Sequence, residues 1–267
     1  MDYLIKYNGQ KGHVPVVKPG DGGLKMISFD MLFFEKGDEY SEDTGSLEVC
    51  LVILGGKCTF EAGGKRWENV GEREDVFGGS AASLFVPANN SFKVEATDEN
   101  PVEIAILRVP SKSDGGAPVF ISPDMVKIVE RGKDNWTRYV HDIVDKDIPA
   151  TAMLVGETFS PAGNWSSAPP HRHDNDNPPE ETDHEEIYLF KCKPAETGFQ
   201  VIRLYTDDLS LNETYTVESN DTVIITQGYH PVAAGPGYKG YYLWILAGKE
   251  RVIHPYDDPK HVWLKNT

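Results

Sequence analysis

His171 and His173 are separated by one residue in the run PPHRHD. On an extended strand residues i and i+2 point to the same face, so both imidazoles can aim at one point. A third imidazole, His230, stands in the run GYHP, at a turn directly after the apolar run TVIIT. Twelve residues lie between His173 and Glu186, an acidic loop broken by prolines. Glu180, Glu181, Glu185 and Glu186 compete for the place beside the histidines. Glu186 shares a strand face with Tyr188 and Phe190, and Glu185 shares the other with Ile187 and Leu189, so strand register leaves the choice open. Three imidazoles and one carboxylate suit a borderline divalent ion: zinc, manganese, iron, nickel or cobalt. With eight histidines in the chain an HxH also arises by chance, and a lone strand histidine is more often packing than ligand. The glycine-flanked His230 at a strand end strengthens the metal reading. His184, inside the loop, reads as solvated rather than ligating.

These side chains converge only if the strands that bear them are neighbours. Short β-rich runs recur along the chain: 47–54 (LEVCLVIL), 83–86 (SLFV), 91–96 (SFKVEA), 102–109 (VEIAILRV), 186–192 (EIYLFKC), 199–205 (FQVIRLY), 222–226 (TVIIT) and 241–246 (YYLWIL). Turn signals separate them, among them Gly55-Gly56, Gly63-Gly64 and Asn220-Asp221. No segment of helical length keeps a 3.6-residue period, and many short strands at turn-limited spacing predict an antiparallel sandwich or barrel. The clearest break in composition is PSKSDGGAP, residues 110–118, near the middle of the chain. The order of elements on its two sides matches, which predicts two tandem β-barrels, 1–118 and 119–267, with room for a strand to swap between them.

The chain has 267 residues, with 26 Lys+Arg against 42 Asp+Glu and a formal net charge of −16. That balance argues against a nucleic-acid partner and against an anionic membrane surface, since both would repel it. An anionic ligand would need a local basic group. The longest apolar stretch, YYLWILA at 241–247, is far short of the roughly 20 residues that span a bilayer. Three cysteines, Cys50, Cys58 and Cys192, with no CxxC spacing, make a disulfide framework unexpected and a reducing cytoplasm the expected home. The N-terminus has no long apolar core after a basic start and does not read as a secretory signal.

At the histidines a family resemblance becomes specific. HxH, a glutamate on the following strand and a later histidine after a glycine turn resemble the metal site of cupins, which are small jelly-roll barrels. The wider text GNWSSAPPHRHD, EEIYLFK, GYHPV, GYKGYYLWILAG and DDP resembles the 5-deoxy-glucuronate isomerases of bacterial myo-inositol catabolism, which are similar to the 4-deoxy-5-ketouronate isomerases of pectin breakdown. GEREDVF, LFVP and WTRYV extend the resemblance into the first half. It implies an all-β pair of cupin-type jelly-roll barrels with one divalent ion per chain, zinc being the first choice. It also implies ligands His171, His173, Glu186 and His230, the glutamate being the one directly before the aliphatic–tyrosine pair. The first half has no equivalent ligand set at its matching turn, Val86 to Asn90, and reads as structural. The loop from His173 to Glu186 is longer than cupin spacing and is expected to form part of a lid.

The resemblance further implies aldose–ketose isomerisation of 5-deoxy-D-glucuronate to 5-dehydro-2-deoxy-D-gluconate. A base must move a proton between two carbons; a neighbouring carboxylate such as Glu185, or a metal-bound hydroxide, would serve, with Tyr188 pointing in beside the metal. The far end of the substrate is a carboxylate, for which an arginine fork is the natural partner. Arg203 is the first candidate and Arg251 the second. Tyr205, Tyr229 and Tyr242 are candidate hydroxyl donors to the sugar, and Trp165 a candidate pocket wall. A homo-oligomer is expected. The rivals are another uronate isomerase, a non-haem metal dioxygenase of the cupin type, and a non-catalytic binding module.

Overall fold

The computed structural model describes residues 2–266. Among them there is no α-helix, only strands and short 3-10 turns. All eight strands expected from the apolar runs are present, within a residue or two of their expected ends.

The first half stacks two antiparallel sheets. One is six-stranded, in the order Val119–Ile121, Ser83–Val86, Leu47–Gly55, Val102–Pro110, Ser28–Phe34, Gly12–Val17. The other is four-stranded: Glu39–Asp43, Ser91–Ala96, Cys58–Ala62, Lys65–Val70. The second half repeats the plan. Its large sheet runs Leu4–Ile5, Thr222–Ile225, His184–Lys193, Lys239–Gly248, Met153–Ser160, Arg138–Val144, Lys127–Arg131. Its small sheet runs Trp165–Ser166, Val232–Ala234, Gln200–Tyr205, Asn212–Val217, and a ribbon pairs His171–Arg172 with Tyr256–Asp257.

The boundary differs from the expected 118/119. Val119–Ile121 pairs with Ser83–Val86 and so completes the first large sheet, while Leu4–Ile5 crosses over to pair with Thr222–Ile225 in the second. An edge strand exposes unpaired N–H and C=O groups, and each short segment covers one.

The two large sheets lie back to back, which explains their continuous apolar runs. Along Leu47–Gly55 every second side chain (Val49, Leu51, Ile53) joins a core sealed inside the first half. The alternate ones (Cys50, Val52, Leu54) join a second core shared with Val155, Leu243 and Ile245 of the other half. A strand buried on both faces loses the apolar/polar alternation of a half-exposed one. Three acidic side chains, Glu157 and Glu48 buried and Glu185 half-buried, stitch this junction. Glu157 Oε1 accepts from Arg73 Nη2 at 2.6 Å and from the Tyr241 hydroxyl at 2.7 Å. Glu48 accepts from the backbone N–H groups of Thr151, Ala152 and Met153 at 2.7–2.9 Å. Glu185 accepts from those of Lys25, Met26 and Ile27, each at 2.7 Å. Leu32, Phe34, Phe60, Leu84, Phe92 and Ile104 fill the space between the sheets of the first half.

Candidate metal centre

His173, Glu186 and His230 bring one donor atom each to within 4.8 Å of one another, all three side chains buried. Glu186 sits near the start of His184–Lys193, and Tyr188 two residues on shares its face. His230 is placed by the turn after Thr222–Ile225. There Gly228 adopts φ +82°, and a Cβ on it would lie 2.5 Å from the Tyr205 carbonyl oxygen. Only glycine fits that left-handed, crowded position. The Gly228 N–H donates to Asp174 Oδ2 at 2.6 Å, tying this turn to the residue after His173.

The ring tautomers are set from behind. Nδ1 of His173 faces the His184 carbonyl at 2.9 Å, and Nδ1 of His230 faces the Gly228 carbonyl at 3.1 Å. Each Nδ1–H is thereby satisfied, and each Nε2 is turned inward, the arrangement by which a protein orients imidazole ligands. His173 Nε2 lies 3.1 Å from Glu186 Oε2, and His230 Nε2 lies 3.5 Å from the same oxygen. The His230 Nε2 is buried and has no hydrogen-bond partner. A buried polar atom without a partner is costly, and one aimed at a carboxylate and a second imidazole fits a cation ligand.

Electrostatics agree. Burial, then the neighbouring His171 and His173, push His230 well below its ordinary pKa, so its lone pair is free. Burial and then His173 push His171 down to about 3. At His173 burial acts in the same sense but the Glu186 carboxylate outweighs it and raises the pKa. Burial likewise holds Glu186 above its usual range, against the pull of His173. A bound cation at this pair would need both groups deprotonated.

His171 stands at the rim. Its ring centroid is 4.8 Å from that of His230 and 6.3 Å from that of His173, and it is half-buried. Pairing of His171 with Asp257 in the short ribbon holds its backbone there. Among the tyrosines, Tyr188 and Tyr242 belong to the site. Their rings stack at 4.2 Å, and the Ser167 hydroxyl lies 3.4 Å from one phenol oxygen and 3.5 Å from the other.

Several expected residues lie elsewhere. Glu185 points to the opposite strand face, where its three backbone bonds lock the junction, so it is not a base at this centre. Gln200 donates to the Lys191 and Tyr241 carbonyls of the facing sheet. The even-numbered side chains of Gln200–Tyr205 therefore point inward, and Arg203 and Tyr205 point out. Arg203 binds Asn212 Oδ1 at 2.8 Å and covers the Tyr205 ring at 4.2 Å. Both line a recess of about 500 Å3 with Trp165, which is 45% exposed. Tyr205 donates to Asp258 and Tyr229 to Asp207, their rings 5.1 Å apart and directed away from the centre. Arg251 is consumed by the carbonyls of Met153, Ile148 and Asp145.

A family model for the KduI/IolB family matches residues 3–264. The chain belongs to the KduI/IolB family. It is 42% identical over 256 residues to the 5-deoxy-glucuronate isomerase of Geobacillus kaustophilus (strain HTA426), covering 96% of this chain and 91% of that one. It is 36% identical over 273 residues to the 5-deoxy-glucuronate isomerase of Bacillus subtilis (strain 168), covering 99% of each. The crystal structure of an IolB-like protein from Salmonella typhimurium LT2 superposes with a TM-score of 0.94 at 32% identity, over 99% of this chain and all of that one. The oxalate decarboxylase of Lactobacillus farciminis superposes with a TM-score of 0.65 at 10% identity, over 100% of this chain and 91% of that one, and shares the all-β, two-unit cupin-type fold.

In this KduI/IolB chain two supporting residues escaped the sequence reading. His184 is buried rather than solvated: its Nε2 donates to the Glu250 carbonyl at 2.7 Å, and its backbone bonds His173 from both sides. A backbone role leaves no side-chain signal to read. Glu181, 3% exposed, accepts from the backbone of Asp174 and Asn175 and pairs with Arg172. These bonds pin the start of the long loop and brace the backbone beside His173.

Proposed function

We infer that the protein is a metal-assisted aldose–ketose isomerase that converts 5-deoxy-D-glucuronate to 5-dehydro-2-deoxy-D-gluconate in myo-inositol degradation. The observation that carries the reading is the buried donor set of His173, Glu186 and His230 in a chain that matches 5-deoxy-glucuronate isomerases along nearly its whole length. His173, Glu186 and His230 are the proposed ligands, with His171 completing the set from the rim. A divalent ion, zinc by preference, would polarise the substrate carbonyl and take up the charge that develops on its oxygen.

The chain's own groups orient and move protons. Burial, then the adjacent Glu186 carboxylate, push the Tyr188 hydroxyl well above its ordinary pKa. Tyr188 therefore stays protonated and serves as a donor to a substrate oxygen, not as a base. Stacking on Tyr242 and the nearby Ser167 hydroxyl hold it in place. Phe190, Ile202 and Val232 are buried with Tyr188 and Tyr242 in one cluster, which keeps bulk water from the site.

Three free, buried cysteines support a reducing cytoplasmic setting. Among the described residues no helix is long and apolar enough to cross a membrane. Exposed Ile128, Tyr139 and Trp165 support a homo-oligomer.

The test is conversion of 5-deoxy-D-glucuronate followed by NMR, with and without chelator. The expected result is conversion to the 2-deoxy-5-keto acid that is lost on chelation and restored by a divalent ion. A metal-loaded protein that leaves the substrate unchanged would refute the reading.

A further inference from the structure

With 42 acidic residues against 26 Lys+Arg, cations in this chain are outnumbered, and the buried arginines are paired. Arg73 meets Glu157, and Arg108 meets Glu42 and Asp30. The half-buried Arg172 meets Glu181 and Asp207. Arg203 and Arg251 are also half-buried without a carboxylate, but their guanidiniums are taken up by Asn212 and by three backbone carbonyls. Arg138 differs from all of these. It is half-buried, yet among the described residues no carboxylate lies within 4.0 Å of its guanidinium. Its polar contact is a long bond of 3.4 Å from Nη1 to the Trp136 carbonyl, with the Trp136 ring centroid 5.8 Å away.

Register gives the direction of this unpaired fork. Arg138 opens the strand Arg138–Val144. Val140 pairs with Thr158, and Thr158 pairs with Tyr242, so Arg138 and Val140 share the face that carries Tyr242. Tyr242 stacks on Tyr188, whose ring lies 5.9 Å from that of His230. The alternate residue His141 takes the other face, against Phe159 and Ser80. Arg138 acts electrostatically on Tyr242, Tyr188 and His171, as expected for a charge on the face that carries the metal centre. Lys265 also bears on His171, but it is already paired with Asp257.

We propose that Arg138 receives the carboxylate of the sugar acid and thereby selects acids over neutral aldoses. This rests on the isomerase reading. A substrate whose carbonyl end lies at His173, Glu186 and His230 presents its opposite, anionic end toward the strand that Arg138 opens. A half-buried guanidinium lacking an internal carboxylate suits a bidentate carboxylate ligand. It is also the local basic group that the strongly acidic surface requires of an anion-binding protein.

The experiment compares kcat/KM for 5-deoxy-D-glucuronate and for its primary amide, in the metal-loaded wild type, Arg138→Gln and Arg138→Lys, with bound metal measured in each. The wild type is expected to prefer the acid by about tenfold to a hundredfold, the scale of a charge-assisted hydrogen-bond pair. Arg138→Gln is expected to abolish that preference, mainly through KM, with bound metal unchanged, and Arg138→Lys to restore part of it. A merely structural arginine would lower both substrates alike. Retention of the full preference in Arg138→Gln would overturn the proposal. If that variant does not fold, Arg138→Lys decides, since an undiminished preference there refutes a bidentate role. A wild type that converts neither compound would instead overturn the isomerase reading, and this proposal with it.

Discussion

The Nε2 of His230 is a lone pair enclosed by protein, with a carboxylate oxygen 3.5 Å away and no donor to satisfy it. Around it, single residues separate sharply by role. Tyr188→Phe removes a hydroxyl beside Glu186 while leaving every proposed ligand in place. We expect kcat to fall by about a hundredfold or more, with metal content unchanged, as for loss of a positioned proton donor. Turnover assays with parallel metal analysis check this, and an unchanged kcat would remove Tyr188 from the chemistry. Glu185→Gln should do the reverse: unfolding free energy should fall by about 2 kcal/mol, as a charged acceptor of three backbone bonds is lost, while kcat holds. Denaturant melts and kinetics together check it. Strand periodicity offered the HxH as a candidate pair, with packing an equal reading, and of the two histidines His173 joins the buried donor set. Glu185 and Glu186 could not be told apart by residue type, because both faces of their strand are buried, one against the site and one against Met26 and Ile27. Arg203 misled for a related reason: an arginine on an apolar strand reads the same whichever face of the sheet it occupies, and only the inward bonds of Gln200 fix that face.

At the scale of elements, the two large sheets are held by polar stitches set in a shared apolar junction. Arg73→Met would leave Glu157 as an uncompensated buried charge. We expect a loss of about 3–5 kcal/mol, far larger than for removal of the exposed pair Lys93–Glu39, which water screens. Chemical denaturation of the two variants side by side checks the contrast, and equal losses would contradict it. The strands that carry this junction were legible because they are long and apolar. Glu39–Asp43, EYSED, was not, since its polar exposed residues resemble a loop. Nor was the crossing of Leu4–Ile5 to Thr222–Ile225, because pairing between segments more than 200 residues apart depends on which sheet edge is left open.

Over the whole molecule, one fold plan is used twice with different fillings. The inner space of the first half is packed with Leu32, Phe34, Phe60 and Phe92, whereas that of the second holds the imidazoles, Glu186 and the stacked tyrosines. The absence of an HxH at 86–90 made this asymmetry legible in the sequence, although the exchange of edge strands between halves was not. On the proposed reading, this asymmetry leaves one metal site per chain. The most direct test is to titrate metal-free protein with manganese, following bound metal by EPR and conversion of 5-deoxy-D-glucuronate by NMR, for the wild type and His230→Ala. The account predicts that wild-type turnover rises in proportion to bound metal and saturates at one ion per chain, and that His230→Ala shows neither tight binding nor turnover. Full turnover by the metal-free protein, or by His230→Ala, would contradict it.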